Sequence, residues 1–268
     1  MSEHPVKAAV RDAESSTPLR ALARGGYAAN GVVHALIGVI VLTIASGARG
    51  ESDQAGAFLA IAAAPLGFAA LWILAALLWA LGIWHVLEGI VASHASDVKK
   101  WGVRVSEWGQ AVVFVALGTI AASVALGAKP SGDSAAKAAS RGVLNLPGGS
   151  WLLALIGVGI GIGGISFVVM GVRRSFEKKI SLPSGPTGAV VATLGVVGFV
   201  AKGVALTIVG VLLVVAAVKV DAESAGGLDG AIQALLDVFL GPLLVGLVGA
   251  GFIAYGVFCF FRARYARL

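Results

Sequence analysis

Six apolar runs constrain this 268-residue chain more than any other feature. They lie at about 26–46, 66–91, 107–126, 151–172, from a start between 189 and 198 to 218, and 242–261. Each approaches or exceeds the ~18–20 residues that cross ~30 Å of hydrocarbon. A backbone in lipid must satisfy its own N–H and C=O groups, so runs of this length read as helices. Only 13% of the residues are charged, against roughly 25% in soluble domains, which excludes an ordinary globular protein. The large stock of Gly, Ala and Val suits helices that approach closely in lipid.

The connections alternate in charge. Residues 1–24 are polar and mixed in sign and read as a solvated arm with no signal-peptide core. With six crossings, both termini share a side with the second and fourth connections. That side carries fourteen Lys and Arg: Lys7, Arg11, Arg20, Arg24, Lys99, Lys100, Arg104, Arg173, Arg174, Lys178, Lys179, Arg262, Arg264 and Arg267. The opposite side carries five, namely Arg49, Lys129, Lys137, Arg141 and Lys219, and Lys202 falls within a span. The asymmetry predicts cytoplasmic termini in a multi-pass protein of the cell (inner or plasma) membrane. Because the net charge of +6 is spread over alternate loops rather than one stripe, no nucleic-acid partner is expected. The single Cys259 rules out an intramolecular disulfide.

Internal periodicity shapes the rest. Gly38, Gly118 and Gly210 in the odd spans are 80 and 92 residues apart, and Gly82, Gly164 and Gly256 in the even spans are 82 and 92 apart. Asp53, Asp133 and Asp229 follow the first anchors, and Gly67, Gly149 and Gly241 each precede the second by 15. Each unit thus reads as a span, a short interfacial helix led by an Asp, and a return span. Three units of equal orientation predict an all-α integral membrane protein, its six transmembrane helices forming a pseudo-threefold bundle. The short helices fall on the non-cytoplasmic side. The divisions are an arm at 1–24 and repeats at 25–98, 99–182 and 183–268.

The opening Gly26-Tyr27-Ala28-Ala29-Asn30-Gly31-Val32-Val33-His34, the turns Pro65-Leu66-Gly67 and Pro147-Gly148-Gly149, and the closing Ala254-Tyr255-Gly256 and Ala263-Arg264-Tyr265 resemble an actinobacterial membrane family. It is the domain-of-unknown-function family 1206, built from tandem two-helix repeats. The resemblance covers about residues 20–268 and implies architecture without chemistry. The chain departs from the pattern at Phe239, in the proline position, and at Glu107-Trp108-Gly109-Gln110, where the aromatic-Ala-Ala start is missing.

Two sets of polar residues stand out within the spans. Asn30, Gln110 and Lys202 each lie eight before their anchor glycine. They would form a polar vestibule if the odd spans line an axis, or simply hydrogen-bond and snorkel in place. His34 and His85 lie at similar depth in adjacent spans, with Glu88 one turn from His85. An intramembrane His–Glu set reads as a proton relay, a quinone contact or a metal or haem ligand, or as an interhelical hydrogen bond. The corresponding residues elsewhere are Phe114 and Leu206 for His34, and Phe167 and Cys259 for His85, so the repeat does not require either histidine.

No Walker loop, zinc-protease motif or Gly-x-Ser-x-Gly is present. The Gly-x-Gly-x-x-Gly match at 159–164 lies inside an apolar span, where it serves helix packing rather than a dinucleotide. Neither catalytic residues nor metal ligands are assigned, and no cofactor is expected beyond the haem or quinone of the redox reading. Three functions remain. The first is a non-catalytic membrane protein that assembles with lipids, anionic headgroups included, with other membrane proteins or with itself. The second is a small transporter or channel using Asn30, Gln110 and Lys202. The third is a redox or quinone-linked protein using His34, His85 and Glu88.

Overall fold

A computed structural model describes residues 16–92 and 96–267. The fold among these residues is all-helical. In order, the helices are α1 (Thr17–Ala45), α2 (Gln54–Ala62), α3 (Gly67–Val91), α4 (Asp97–Ala125), α5 (Gly132–Leu144), α6 (Gly149–Val172), α7 (Pro186–Lys219), α8 (Leu228–Leu236) and α9 (Gly241–Tyr265). Short 3-10 turns at Ser175–Lys179 and Ala222–Ser224 flank α7. Six helices (α1, α3, α4, α6, α7 and α9) are long and apolar enough to cross a membrane. They make a multi-pass membrane protein of three two-helix repeats.

The odd spans begin earlier than their hydropathy. The arm expected through residue 24 lies outside the described residues over 1–15, but Thr17 already opens α1. Ala23 is fully buried, and the Arg24 guanidinium donates to the carbonyls of Ala263, Arg264 and Ala266. These contacts hold two further turns of helix. Likewise α4 starts ten residues before Glu107. At 1.5 Å per residue its 29 residues extend about 43 Å, beyond the hydrocarbon thickness. Residues 93–95, including His94, lie outside the described residues.

Contacts divide the chain into two compact units. One holds the chain up to Asn30, Ile61–Ala128 and the chain from Cys259, and the other holds Gly31–Ala60 and Lys129–Phe258. These units cut across the repeats because the closest helix pairs join neighbouring repeats. In the first unit, a Cβ on Gly82 of α3 would stand 2.8 Å from Val115 of α4, and one on Gly118 would stand 3.0 Å from the Ala75 carbonyl oxygen. In the second, Gly164 and Gly210 do the same for α6 and α7, with Cβ positions 2.7 Å from the carbonyl oxygens of Gly203 and Gly157. Gly38 and Gly256 repeat it for α1 and α9, against Gly249 and Gly31 at 2.6 and 2.7 Å. All six anchor glycines therefore sit at helix contacts that a side chain would crowd, against backbone in five and chiefly against the Val115 side chain at Gly82. The second span of each repeat pairs with the first span of the next, in cyclic order.

The turns before α3, α6 and α9 also share one geometry. Leu66, Gly148 and Leu240 have φ of 62°, 72° and 61°, the left-handed region. The following Gly67, Gly149 and Gly241 abut the carbonyls of Ile61, Val143 and Leu236. Glycine is needed at the second position because a Cβ there would collide with backbone. Phe239 is accepted where the other repeats have proline because this close approach does not involve it.

In the second unit, which holds α5, α8 and α2 through Ala60, a three-way clasp links the starts of the short helices. Asp53 caps its own helix, accepting from Gly56 N–H at 3.0 Å, and also accepts from Gly132 N–H of the second repeat at 2.9 Å. Asp133 accepts from Gly227 N–H of the third repeat at 3.1 Å. Asp229 accepts from the Ser52 N–H and hydroxyl of the first at 3.1 and 2.8 Å. Each Asp thus reaches the next repeat, and the third returns to the first. Only Asp53 also caps its own helix, since Ser131 caps α5 and Gly227 precedes α8.

The clasp gathers like charges. Burial pushes the Glu51 carboxyl up, and the charges of Asp53 and Asp229 push the same way. Burial also raises Asp53, although the backbone donors Gly56 and Gly132 oppose it. A carboxyl raised on folding favours the protonated folded state, so its ionisation costs stability at neutral pH. That stability returns as pH falls through the raised value. The protein in nanodiscs should therefore melt higher near pH 5 than at pH 7. Glu51→Gln should raise the pH 7 melting temperature by the equivalent of less than about 1 kcal/mol, with the gain shrinking as pH falls.

Candidate functional site

Buried polar side chains are costly in a span unless they are partnered. The first unit places two of them, with a half-buried third, where α3 meets α4. His85 is fully buried and Glu107 is 4% exposed. Their side chains meet with Nδ1 2.7 Å from Glu107 Oε2. Glu88, one turn along α3, brings Oε2 to 3.3 Å from the same nitrogen and leaves about a third of its side chain exposed. Gln110 donates from Nε2 to Glu107 Oε2 at 3.4 Å. Phe114 stacks on the imidazole with a centroid distance of 5.4 Å, and Tyr27 stands edge-on at 6.3 Å.

This arrangement selects a tautomer. With Nδ1 facing two carboxylates, the proton belongs on Nδ1, which donates to Glu107. Nε2 then carries a lone pair, and it is buried with no hydrogen-bond partner among the described residues. One ring nitrogen is thus held by carboxylates and the other is left as a buried base. His85, Glu88 and Glu107 also offer one ligand atom each within 4.8 Å of one another.

Repeat positions explain how the site arose. Counting from the anchor glycines, Glu107 corresponds to Tyr27 and Phe199, His85 to Phe167 and Cys259, and Glu88 to Met170 and Arg262. The same positions meet in each helix pair. Between α6 and α7, in the second unit, Phe167 stacks on Phe199 at 5.8 Å. Between α9 and α1, in the first unit, Arg262 lies 4.2 Å over the Tyr27 ring and donates to its hydroxyl at 3.2 Å. Phe167 on Phe199 thus repeats the positions of His85 and Glu107, and Arg262 on Tyr27 repeats those of Glu88 and Glu107.

The other sequence candidates find local partners. Asn30, 3% exposed, donates from Nδ2 to Cys259 Sγ at 3.5 Å. Lys202, in the second unit, packs its ammonium against Phe167 at 5.3 Å and Tyr255 at 4.7 Å, as cation–π contacts allow. His34 is in the second unit, 3% exposed, with its ring 4.8 Å from Tyr255 and 6.0 Å from Phe252. His85 and Glu88 are brought together, Gln110 joins them through Glu107, and His34 belongs to the other unit. Glu107 is the member that sequence reasoning missed. Its signal was available, because it replaces the aromatic that starts the other two odd spans. A groove of about 310 Å³ in the second unit is lined by Ile165, Val168, Val204, Thr207 and Ile208. The Thr207 hydroxyl donates to the Gly203 carbonyl at 2.8 Å, so the groove offers little chemistry.

Comparison with known proteins adds family and no activity. The family model of a Domain of Unknown Function (DUF1206) matches three segments, residues 25–92, 108–174 and 197–266. An uncharacterised protein of Bacillus subtilis (strain 168), YxxB, is 26% identical over 259 residues, which covers 95% of this chain and 94% of the relative. No solved structure matches the chain.

The threefold comparison makes the pair testable. Glu107→Ala should leave the buried imidazole without its closest acceptor and cost about 1–3 kcal/mol. The double variant His85→Phe/Glu107→Phe recreates the Phe167–Phe199 pair and should recover most of that loss. A double-mutant cycle of unfolding in detergent checks this. Strictly additive losses would show that the two side chains are not coupled.

Proposed function

The chain belongs to the DUF1206 family, and from the ionic site of its first unit we propose that it is a membrane protein that relays protons through His85, Glu107 and Glu88. One observation carries this reading: a buried imidazole held at Nδ1 by Glu107 at 2.7 Å, with its Nε2 unpartnered among the described residues. A proton taken up at Nε2 forms an imidazolium beside two carboxylates. Loss of the Nδ1 proton to Glu107 or Glu88 returns the ring to neutral, with the remaining proton on Nε2. A ring flip or reprotonation then resets the tautomer. Glu88, the more exposed carboxylate, is the outer station. The stacked Phe114 and the edge-on Tyr27 limit competing contacts of the ring. Histidine suits the task because its ordinary titration range spans neutral pH.

The charge asymmetry of the loops supports cytoplasmic termini and a place in the cell membrane. On that orientation the relay lies in the cytoplasmic half of the protein. Infrared difference spectra of the whole protein in nanodiscs, recorded between pH 5 and pH 8, test the relay. Imidazole and carboxylate bands should change together in the wild type. His85→Phe should remove both sets, and Glu107→Gln should alter the imidazole bands. Spectra that are identical in the wild type and both variants would sink the relay.

A second reading, assembly with other membrane proteins or a second copy, is supported by α6. Only 17% of its most apolar window is buried, against 39% or more in the other spans. A Cβ on Gly159 or Gly161 would meet nothing within 4 Å, so another helix can approach closely there. Gly159→Leu/Gly161→Leu should lower the assembly state in detergent by sedimentation without changing helicity. A monomer in both proteins would argue against assembly of copies through this face.

A further inference from the structure

We propose that the segment joining α6 to α7 is a built platform for anionic phospholipid headgroups, recognised through a phosphodiester whose charge no headgroup cation offsets. The inference is independent of the His85 relay. The segment leaves the last turn of a membrane-crossing helix at Val172, so it lies where headgroups lie. Arg173, Arg174, Lys178 and Lys179 follow within seven residues, and all four are exposed.

The platform has a fixed base beneath its charge. Phe176 is 4% exposed and Ile180 is 2% exposed. The Phe176 ring stacks on Phe199 at 5.1 Å and meets Phe258 edge-on at 5.2 Å. A Cβ on Gly195 would stand 2.5 Å from that ring, so α7 opens a slot for it. With Phe176 and Ile180 turned inward, the 3-10 turn Ser175–Lys179 presents its cations outward. The segment's acid, Glu177, is half-buried with Oε1 enclosed, and the exposed charged residues of the segment are the four cations.

The backbone supplies a second sign of construction. Arg174 has φ of 53°, in the left-handed region that favours glycine. The Arg174 N–H donates to the Gly171 carbonyl at 3.0 Å, which closes the turn and fixes the backbone from which the guanidinium extends. Arginine also suits phosphate because its planar fork donates two parallel hydrogen bonds. A loose basic loop would attract an anionic surface diffusely. An anchored one holds its cations at set positions and distinguishes headgroups by charge and shape.

The test uses the full chain in nanodiscs of mixed phosphatidylcholine and phosphatidylglycerol, with lipid retained after mild extraction measured by mass spectrometry. The wild type should retain phosphatidylglycerol over phosphatidylcholine by several-fold. Arg173→Gln/Arg174→Asn/Lys178→Gln should abolish the preference, since Asn tolerates the left-handed backbone. Phe176→Ala, with every charge intact, should reduce the preference, and Phe176→Leu should restore it if apolar anchoring is what matters. Circular dichroism and melting confirm that each variant is folded. A wild type without preference, or a preference that survives loss of the cations, overturns the proposal. A folded Phe176→Ala that retains the full preference overturns the fixed platform in favour of diffuse charge. Loss of the preference in millimolar inorganic phosphate identifies a soluble phosphate as the ligand and overturns the lipid.

Discussion

Backbone contact at glycine is the constraint on which this protein depends. In lipid the hydrophobic effect does not drive one apolar helix onto another, so adhesion rests on close packing and polar contacts. Six anchor glycines provide the close packing, and each would obstruct its partner helix if it carried a Cβ. The pairs they form join the second span of one repeat to the first span of the next. A single repeat therefore lacks the partner that its second span needs. The three-way exchange of Asp53, Asp133 and Asp229 follows the same order from repeat to repeat in the short helices of the second unit.

That cyclic pairing governs where chemistry can diverge. A buried polar residue on one helix costs free energy until the facing residue satisfies it. Substitutions in the repeat therefore come in matched sets. His85 faces Glu107, Arg262 faces Tyr27, Asn30 faces Cys259, and Phe167 faces Phe199. A set with two carboxylates appears in one helix pair, while the other two place Arg262 on Tyr27 and Phe167 on Phe199. This is how a threefold scaffold can carry a unique site.

Much of the scaffold was legible along the chain. Apolar length identified six crossings, and the glycine spacing identified three repeats. The apolar runs located the start of the even spans to within two residues. Hydropathy placed the starts of α1 and α4 too late, because their first turns are polar. Tertiary contacts such as Arg24 on the closing carbonyls hold those turns in α1. His85 and Glu88 were visible as polar residues in an apolar run. Glu107 was seen only as a break in the repeat, since a residue at the edge of a span looks like an ordinary interfacial charge.

What the sequence determined by itself was the number of crossings, the repeat and the positions that must remain small. Hydrocarbon thickness and the steric size of a side chain act on any helix alike, whatever surrounds it. Which helices pair, and which polar residues share a pair, was decided only by tertiary structure. His85 and Glu107 lie in different repeats, 22 residues apart, and their meeting depends on the packing of α3 against α4 through Gly82 and Gly118. A linear pattern records what each residue is, whereas a proton site depends on which buried group faces it across a helix contact.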